Sequence, residues 1–290
     1  NIDVSTLFLV KNADLSEAEE IISSIRSTKA KNVFAFGSGK VIDTAKYSSS
    51  VTGANFVAVP ACLSTNCHFT DKSTLFDNGL KRTLNSKVPE KVVFDWPLIS
   101  KNSFMNKCGV IELLSSCSAL IDWQIAKDNK KENINEGIYS RAKDVAVEAE
   151  RILDNSGDGL RIQSELLRES GDIAVEHGCG RPVSGSEHIL SSLVENHYRC
   201  PHGIALSITI PIAIRLQKSF NYPEVCPGLD DKLAKNNPFK KFILETMDKQ
   251  ILMKLISDVK PRPDRFTVID IVEKQKIELI ARSTLDDIFN

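Results

Sequence analysis

The chain changes character near residue 100. Before it, short apolar runs alternate with amphipathic stretches; after it, strand signals almost vanish. Thr6–Val10, Asn32–Phe36, Asn55–Pro60 and Lys91–Asp95 read as strands, and Ser16–Ser27 carries Ala18, Ile21, Ile22 and Ile25 at helical spacing. Short apolar strands separated by helices belong to a parallel, helix-flanked sheet. Beyond it, Val110–Ala126, Ala142–Ile152, Leu160–Val175, Ser186–Val194, Gly203–Phe220, Lys240–Ser257 and Val268–Ile288 all carry helical periodicity. The pattern predicts two domains, an α/β domain over 1–100 and an all-helical domain over 101–290. Residues 154–159, Asp-Asn-Ser-Gly-Asp-Gly, read as a loop between helices rather than a domain linker.

Composition narrows the function classes. Lys plus Arg is 37 and Asp plus Glu 38, a net charge of −1, which argues against binding nucleic acid by bulk charge. The seven cysteines (62, 67, 108, 117, 179, 200 and 226) are scattered, odd in number and without a CxxC pair. They predict reduced thiols rather than a disulfide framework or a zinc knuckle, and, with no signal-peptide pattern at the start, a cytoplasmic protein. The longest apolar run, Ile204–Leu216, holds Ser207, Thr209, Pro211 and Arg215 and falls short of the roughly 20 residues that cross a bilayer. A buried core helix is the expectation, and no membrane partner.

Three groups of residues carry chemistry. The predicted strand Asn32–Phe36 runs into Gly37-Ser38-Gly39-Lys40 and then a helix. A glycine turn at a helix N-terminus presents oriented N–H donors to an anion such as a pyrophosphate. The same residues are compatible with a tight turn that holds no ligand, and Lys40 with a solvated lysine. The turn is neither G-x-G-x-x-G nor a P-loop. Glu112, His188 and His202 fall on predicted helices or at their starts, and two imidazoles with one carboxylate form a three-ligand site for a divalent ion. The alternative for each histidine is a satisfied core or capping residue, although His202 opens an apolar helix where a solvated imidazole has little reason to be. Pro60–Asn66 follows a strand, where the loops of a parallel sheet face the ligand crevice, and Ser64, Thr65 and Asn66 could bond a cofactor or substrate; taken alone, the segment reads equally as an ordinary polar loop.

Together these segments resemble the metal-dependent, iron-containing alcohol dehydrogenases, a superfamily that includes glycerol dehydrogenase, glycerol-1-phosphate dehydrogenase and 3-dehydroquinate synthase. Phe36-Gly-Ser-Gly-Lys-Val-Ile-Asp-Thr-Ala-Lys46 resembles V-G-G-G-K-V-I-D-x-A-K, and Val59–Asn66 resembles V-P-T-x-x-S-x-D. Gly109-Val-Ile-Glu112, continuing to Asp122-Trp123, is similar to G-x-G-D-x-L-S followed by D-W. Arg181-Pro-Val-Ser-Gly-Ser-Glu-His188 resembles R-P-A-S-G-S-E-H, which points to the glycerol-1-phosphate dehydrogenase branch, and Pro201-His202-Gly203 resembles H-G-E. The matches are in order and cover roughly residues 30–220.

The resemblance implies a Rossmann-like N-terminal domain and an all-α C-terminal domain, the dehydroquinate synthase-like fold. It implies NAD or NADP over Gly37, Ser38, Gly39, Lys40 and Val41, with Ser64, Thr65 and Thr70 beside it. Zn2+ in first place, or Fe2+, would be held by Glu112, His188 and His202, the ion holding the substrate hydroxyl as hydride passes to the nicotinamide. Asn66 and Ser192 would contact the substrate, a small polyol such as glycerol or a polyol phosphate; Lys40, Lys72 and Arg181 are available for a phosphate. Family members commonly form homo-oligomers, and one is expected here.

The departures from the family pattern leave a carboxylate and two imidazoles for the metal but alter the substrate surroundings. Glu112 stands where the dehydrogenases have Asp, Asn66 replaces an Asp, Ser192 replaces a second histidine one helical turn after His188, and Ile204 replaces the glutamate of H-G-E. Serine cannot carry protons near neutral pH as imidazole does. Two alternatives stand beside the polyol dehydrogenase: a sugar-phosphate cyclase using NAD transiently, and a non-catalytic homologue. His68 and Lys72 are candidates for lost proton-transfer roles, with exposure on a loop the expected explanation of both. The glycine turn comes only 36 residues in, earlier than in the family, and the first residue is Asn1 rather than Met. The expectation is an α/β domain lacking part of its first half.

Overall fold

The computed structural model describes residues 6–153 and 159–290 and divides into two compact units, 1–106 and 107–290. The first contains α1 (Leu15–Thr28), β1 (Asn32–Gly37), α2 (Gly39–Thr52), β2 (Asn55–Pro60), β3 (Lys72–Asp77), β4 (Leu80–Asn85), β5 (Lys91–Val92) and α3 (Trp96–Ser100). α4 (Ser103–Leu114) starts before the division and continues past it. The second unit goes on with α5 (Ser116–Asp128), α6 (Glu136–Leu153), α7 (Gly159–His177), α8 (Ser186–Tyr198), α9 (His202–Lys218), α10 (Leu229–Lys235), α11 (Lys240–Thr246), α12 (Lys249–Ser257) and α13 (Lys274–Phe289).

In the first unit β1, β2 and β5 form a parallel sheet in the order β1-β2-β5, with Phe36 opposite Val59 and Gly37 opposite Pro60. Both glycine turn and polar loop therefore leave the carboxyl edge of neighbouring strands, the edge at which parallel sheets bind ligands. One sheet face is covered by α2: Ala35, Phe56 and Ala58 pack with Ile42 and Ala45. α1 begins at a capping box, in which the Asp14 side chain accepts from the third-residue N–H and Glu17 accepts from the Asp14 N–H.

Two strand expectations are corrected. Thr6–Val10 is not a strand: no ladder partner lies beside it among the described residues, and Leu7 and Leu9 are each 81% exposed. An apolar, β-branched run makes a strand only where a neighbour completes its hydrogen bonds. The run at Lys91–Asp95 is a strand only over Lys91–Val92. Conversely, the structure adds an antiparallel hairpin, β3–β4, to the strands read from the apolar pattern. Its turn is Asn78-Gly79, both at positive φ (51° and 79°), the conformation a two-residue hairpin turn requires.

In the second unit no strand occurs among the described residues. The predicted helix Val110–Ala126 is two helices, broken at Ser115, whose hydroxyl donates to Glu112 O and Val183 O. Lys240–Ser257 is likewise split, with Asp248 capping α12 through the Gln250 and Ile251 N–H groups. Val268–Asp270 is a 3₁₀ turn ahead of α13. At the centre lies α9, with Ile204, Leu206, Ile208, Ile210, Ile212 and Ile214 all buried, packed against α5, α8, α10 and α13. Each such side chain contributes roughly 1.5–3 kcal/mol on burial. Ser103–Asp128 is long and apolar enough by composition to cross a membrane, but 78% of its apolar window is buried inside the fold, as expected of a core helix. Of the expected 154–159 loop, residues 154–158 lie outside the described residues, and Gly159 begins α7.

Candidate metal centre and glycine turn

Three helices bring Glu112, His188 and His202 together: Glu112 in the last turn of α4, His188 as the third residue of α8, and His202 as the first residue of α9. One ligand atom from each lies within 4.8 Å of the others. The two Nε2 atoms are 3.2 Å apart, and His202 Nε2 is 3.0 Å from Glu112 Oε2. His188 Nε2 is 4.0 Å from Glu112 Oε1.

Two glycines permit this approach. A Cβ on Gly203 would lie 2.4 Å from the Cys108 Cα, so only glycine lets the start of α9 press onto the α4 backbone, one turn before Glu112. A Cβ on Gly185 would lie 2.5 Å from Asp122 Oδ2 and 2.9 Å from the Ala119 Cα, where α8 enters against α5. Asp122 anchors that entry, accepting from Ser186 N (2.6 Å) and Val268 N (2.8 Å). Burial, aided by the nearby Glu187 charge, raises its carboxyl to about 6.

Two carboxylates absent from the sequence-based set complete the arrangement. His188 Nδ1 donates to Glu187 Oε1 at 2.7 Å, and His202 Nδ1 donates to Glu195 Oε1 at 2.6 Å. A carboxylate only accepts, so in each neutral ring the proton is on Nδ1 and the lone pair on Nε2. With both rings neutral, two lone pairs face each other at 3.2 Å with a carboxylate oxygen alongside, an arrangement that a cation among them, or a proton on one Nε2, relieves. Tetrahedral ligands at roughly 2.05 Å from zinc are about 3.3 Å apart, close to the 3.2 and 3.0 Å of two pairs here, while the third, His188 Nε2 to Glu112 Oε1, is wider at 4.0 Å. The donor set therefore fits a divalent ion. Ser192, one turn beyond His188, is half-buried and its hydroxyl donates to Ile189 O (2.7 Å).

The glycine turn is built within the first unit. β1 ends at Gly37, Ser38 is the N-cap of α2 without a side-chain capping bond, and Gly39 opens the helix. Lys40 is exposed and Val41 half-buried. The position of a Cβ on Gly39 would be 3.8 Å from Thr65 Oγ1, so turn and polar loop are in contact. Thr65 and Asn66 are half-buried; Asn66 caps a 3₁₀ turn over Cys67–Phe69. Ser64 and Thr70 face inward, 6% and 8% exposed, and the Thr70 hydroxyl is engaged with Cys67 O, Lys72 O and Lys46 Nζ.

Two expectations about charge are corrected. Arg181 is not available to a substrate phosphate: it is 2% exposed, donates to Asp122 O and Phe266 O, and pairs with Glu132 at 2.9 Å. His68 is not the exposed loop residue expected: it is 2% exposed. Burial, reinforced by the Lys46 charge, holds its imidazole down to about 3. Lys72 is tied to Asp71 and Asn85 on the hairpin.

Residues 1–102 match the family model described as iron-containing alcohol dehydrogenase. The chain is 28% identical over 290 residues to the NAD(P)+ glycerol-1-phosphate dehydrogenase of Aeropyrum pernix, covering 96% of this chain and 80% of that one. Among solved structures it is similar to a maleylacetate reductase from Agrobacterium tumefaciens, with TM-score 0.68, 14% identity and coverage of 97% and 82%. It is also similar to a probable glycerol dehydrogenase from Sinorhizobium meliloti 1021, with TM-score 0.67, 16% identity and coverage of 96% and 83%. These two structures share the fold of this chain.

Proposed function

We propose that the chain is a member of the iron-containing alcohol dehydrogenase superfamily and a metal-dependent NAD(P) oxidoreductase acting on a small polyol phosphate, of the glycerol 1-phosphate type, or on the parent polyol. The observation that carries the reading is the pair of imidazoles whose Nε2 lone pairs converge beside Glu112.

Bound there, a divalent ion supplies polarisation of a hydroxyl or carbonyl oxygen, and a bound nicotinamide supplies a hydride acceptor. The remaining work falls to the chain. Glu112, His188 and His202 would hold the ion, taken to be Zn2+, with Fe2+ as the alternative. Gly37, Ser38 and Gly39 present the first-turn N–H groups of α2 to a pyrophosphate, and Lys40 adds a positive charge at that edge. Thr65, in contact with that turn, and Ser64 are the loop residues assigned to the cofactor. Thr70 supports the loop from beneath through its bonds to Cys67 O and Lys72 O. Asn66 and Ser192 are assigned to the substrate; both are neutral at working pH, so they bind and orient hydroxyls rather than exchange protons with them. We also propose a cytoplasmic homo-oligomer, in keeping with seven cysteines that are all free thiols.

The test is the reduction of NAD+ and NADP+ by purified, Zn2+-loaded protein across glycerol, glycerol 1-phosphate, glycerol 3-phosphate and simple alcohols. Turnover with a polyol or its phosphate supports the reading. Phosphate release from a sugar phosphate without net NADH would replace it with cyclase chemistry.

A further inference from the structure

We infer that Glu187 and Glu195 are positioning residues of the metal centre, each fixing the tautomer and aim of one histidine. The inference rests on the metal-site reading above and extends it to two carboxylates outside the ligand set.

The two contacts are built differently. Glu187 is fully buried, and its Oε1 accepts both His188 Nδ1 (2.7 Å) and Gly185 N (2.6 Å), while Oε2 accepts from the Ser118 hydroxyl. It is therefore also part of the frame joining α8 to α5. Glu195 is 6% exposed; its Oε1 takes His202 Nδ1 at 2.6 Å and the Ser191 hydroxyl at 3.3 Å. Both ligand histidines thus have their far nitrogen bound to a carboxylate. That arrangement does two things to an imidazole ligand. It places the proton on Nδ1, leaving Nε2 as the donor atom, and it raises the electron density the ring gives to an ion. A hydroxyl or carbonyl in the same place would do the first but much less of the second.

Geometry separates positioning from simple packing. The rings are not held by apolar contact alone: their planes are tilted by 50° with centroids 5.0 Å apart, and it is the Nδ1 bonds that turn both Nε2 atoms inward. Without Glu195, His202 could take the other tautomer and donate from Nε2 to Glu112, 3.0 Å away, which would close the site as an ordinary histidine–carboxylate bond.

The experiment measures Zn2+ affinity by competition with a chromophoric chelator, and the visible spectrum of the Co2+-substituted protein, for wild type, E195Q, E195A and E187Q. The expected result is a fall in Zn2+ affinity of roughly 10-fold to 100-fold for the Glu195 variants. The Co2+ ligand-field bands should shift, while the circular dichroism spectrum and NAD+ affinity are unchanged. E187Q should lose metal affinity and thermal stability together, because the Gly185 and Ser118 bonds change with it. Should E195A not fold, E195Q still reports. Wild-type Zn2+ affinity and an unshifted Co2+ spectrum in a folded Glu195 variant would overturn the inference alone. A wild-type protein that binds neither ion would overturn the metal-site reading, and this inference with it.

Discussion

His202 Nε2 faces His188 Nε2 at 3.2 Å, with the far nitrogen of each ring bonded to a different glutamate. The relationship depends on α9 beginning where it does. His202 reaches the site only because Gly203 lies against the α4 backbone at Cys108.

Gly203→Ala should therefore damage the fold and the site together. The added methyl meets the Cys108 Cα and carbonyl oxygen, which no side-chain rotation relieves. Overpacking of this kind costs about 1–3 kcal/mol. Thermal denaturation should show a lower midpoint, and Zn2+ affinity should fall with it. Cys108→Ala, made in the same background, should not restore either, since backbone atoms remain in contact.

Arg181→Lys tests whether that residue is structural. The guanidinium spans Asp122 O, Phe266 O and Glu132, a geometry a single ammonium cannot reproduce. The expected loss is about 2 kcal/mol of stability, measured by denaturant titration. The ratio of KM for a polyol phosphate to KM for the parent polyol should stay within a factor of about two of the wild-type ratio. A selective rise in KM for the phosphate ester would mean that Arg181 recognises it.

Asp122 gives a pH dependence with a defined sign. Its folded-state carboxyl is raised to about 6 from 3.8, so the folded chain holds the proton more tightly than the unfolded one. Its stabilising contribution is complete below pH 3.8 and is lost as pH rises through about 6. Between about pH 5 and about pH 7.5 the loss is on the order of 1–2 kcal/mol. Asp122→Asn, which cannot ionise, should lack this slope. Denaturant titrations of metal-free wild type and variant at the two pH values measure it as the change in their stability difference. An unchanged difference would mean that Asp122 is ionised throughout.

His68→Gln should leave the shape of the kcat/KM profile between about pH 6 and about pH 9 unaltered, because an imidazole held at about 3 is neutral across that range. The removal of a pKa from the profile would contradict the assignment.

The helices of the second unit are legible in the amino-acid pattern because apolar residues recur at helical spacing, and His202 is conspicuous as a polar residue opening the apolar run from Ile204. Helix breaks are not legible, since periodicity passes unaltered through Ser115, whose hydroxyl bonds to Val183 O only in the fold. Thr6–Val10 has strand composition but no ladder partner among the described residues, whereas Asn78-Gly79 is itself a hairpin signal, the dipeptide a tight primed turn favours. In the site, Glu112, His188 and His202 stand out by residue type and motif. Glu187 and Glu195 do not. A glutamate adjacent to a histidine or near the end of a helix reads as surface charge until packing buries it, and only the tertiary contact between α8 and α9 brings Glu195 to His202. Arg181 misleads for the converse reason, because a buried guanidinium looks the same in sequence as an available one.

The most direct measurement is the metal content of purified wild type and of Glu112→Ala. The wild type should carry about one divalent ion per chain, and removal by a chelator should abolish NAD(P)+ reduction until Zn2+ is returned. Glu112→Ala should fold, retain NAD+ binding and lose metal affinity by more than about 100-fold, a larger effect than loss of an outer carboxylate. A folded wild-type protein without metal, or a Glu112→Ala variant that binds it as tightly as wild type, would contradict the account.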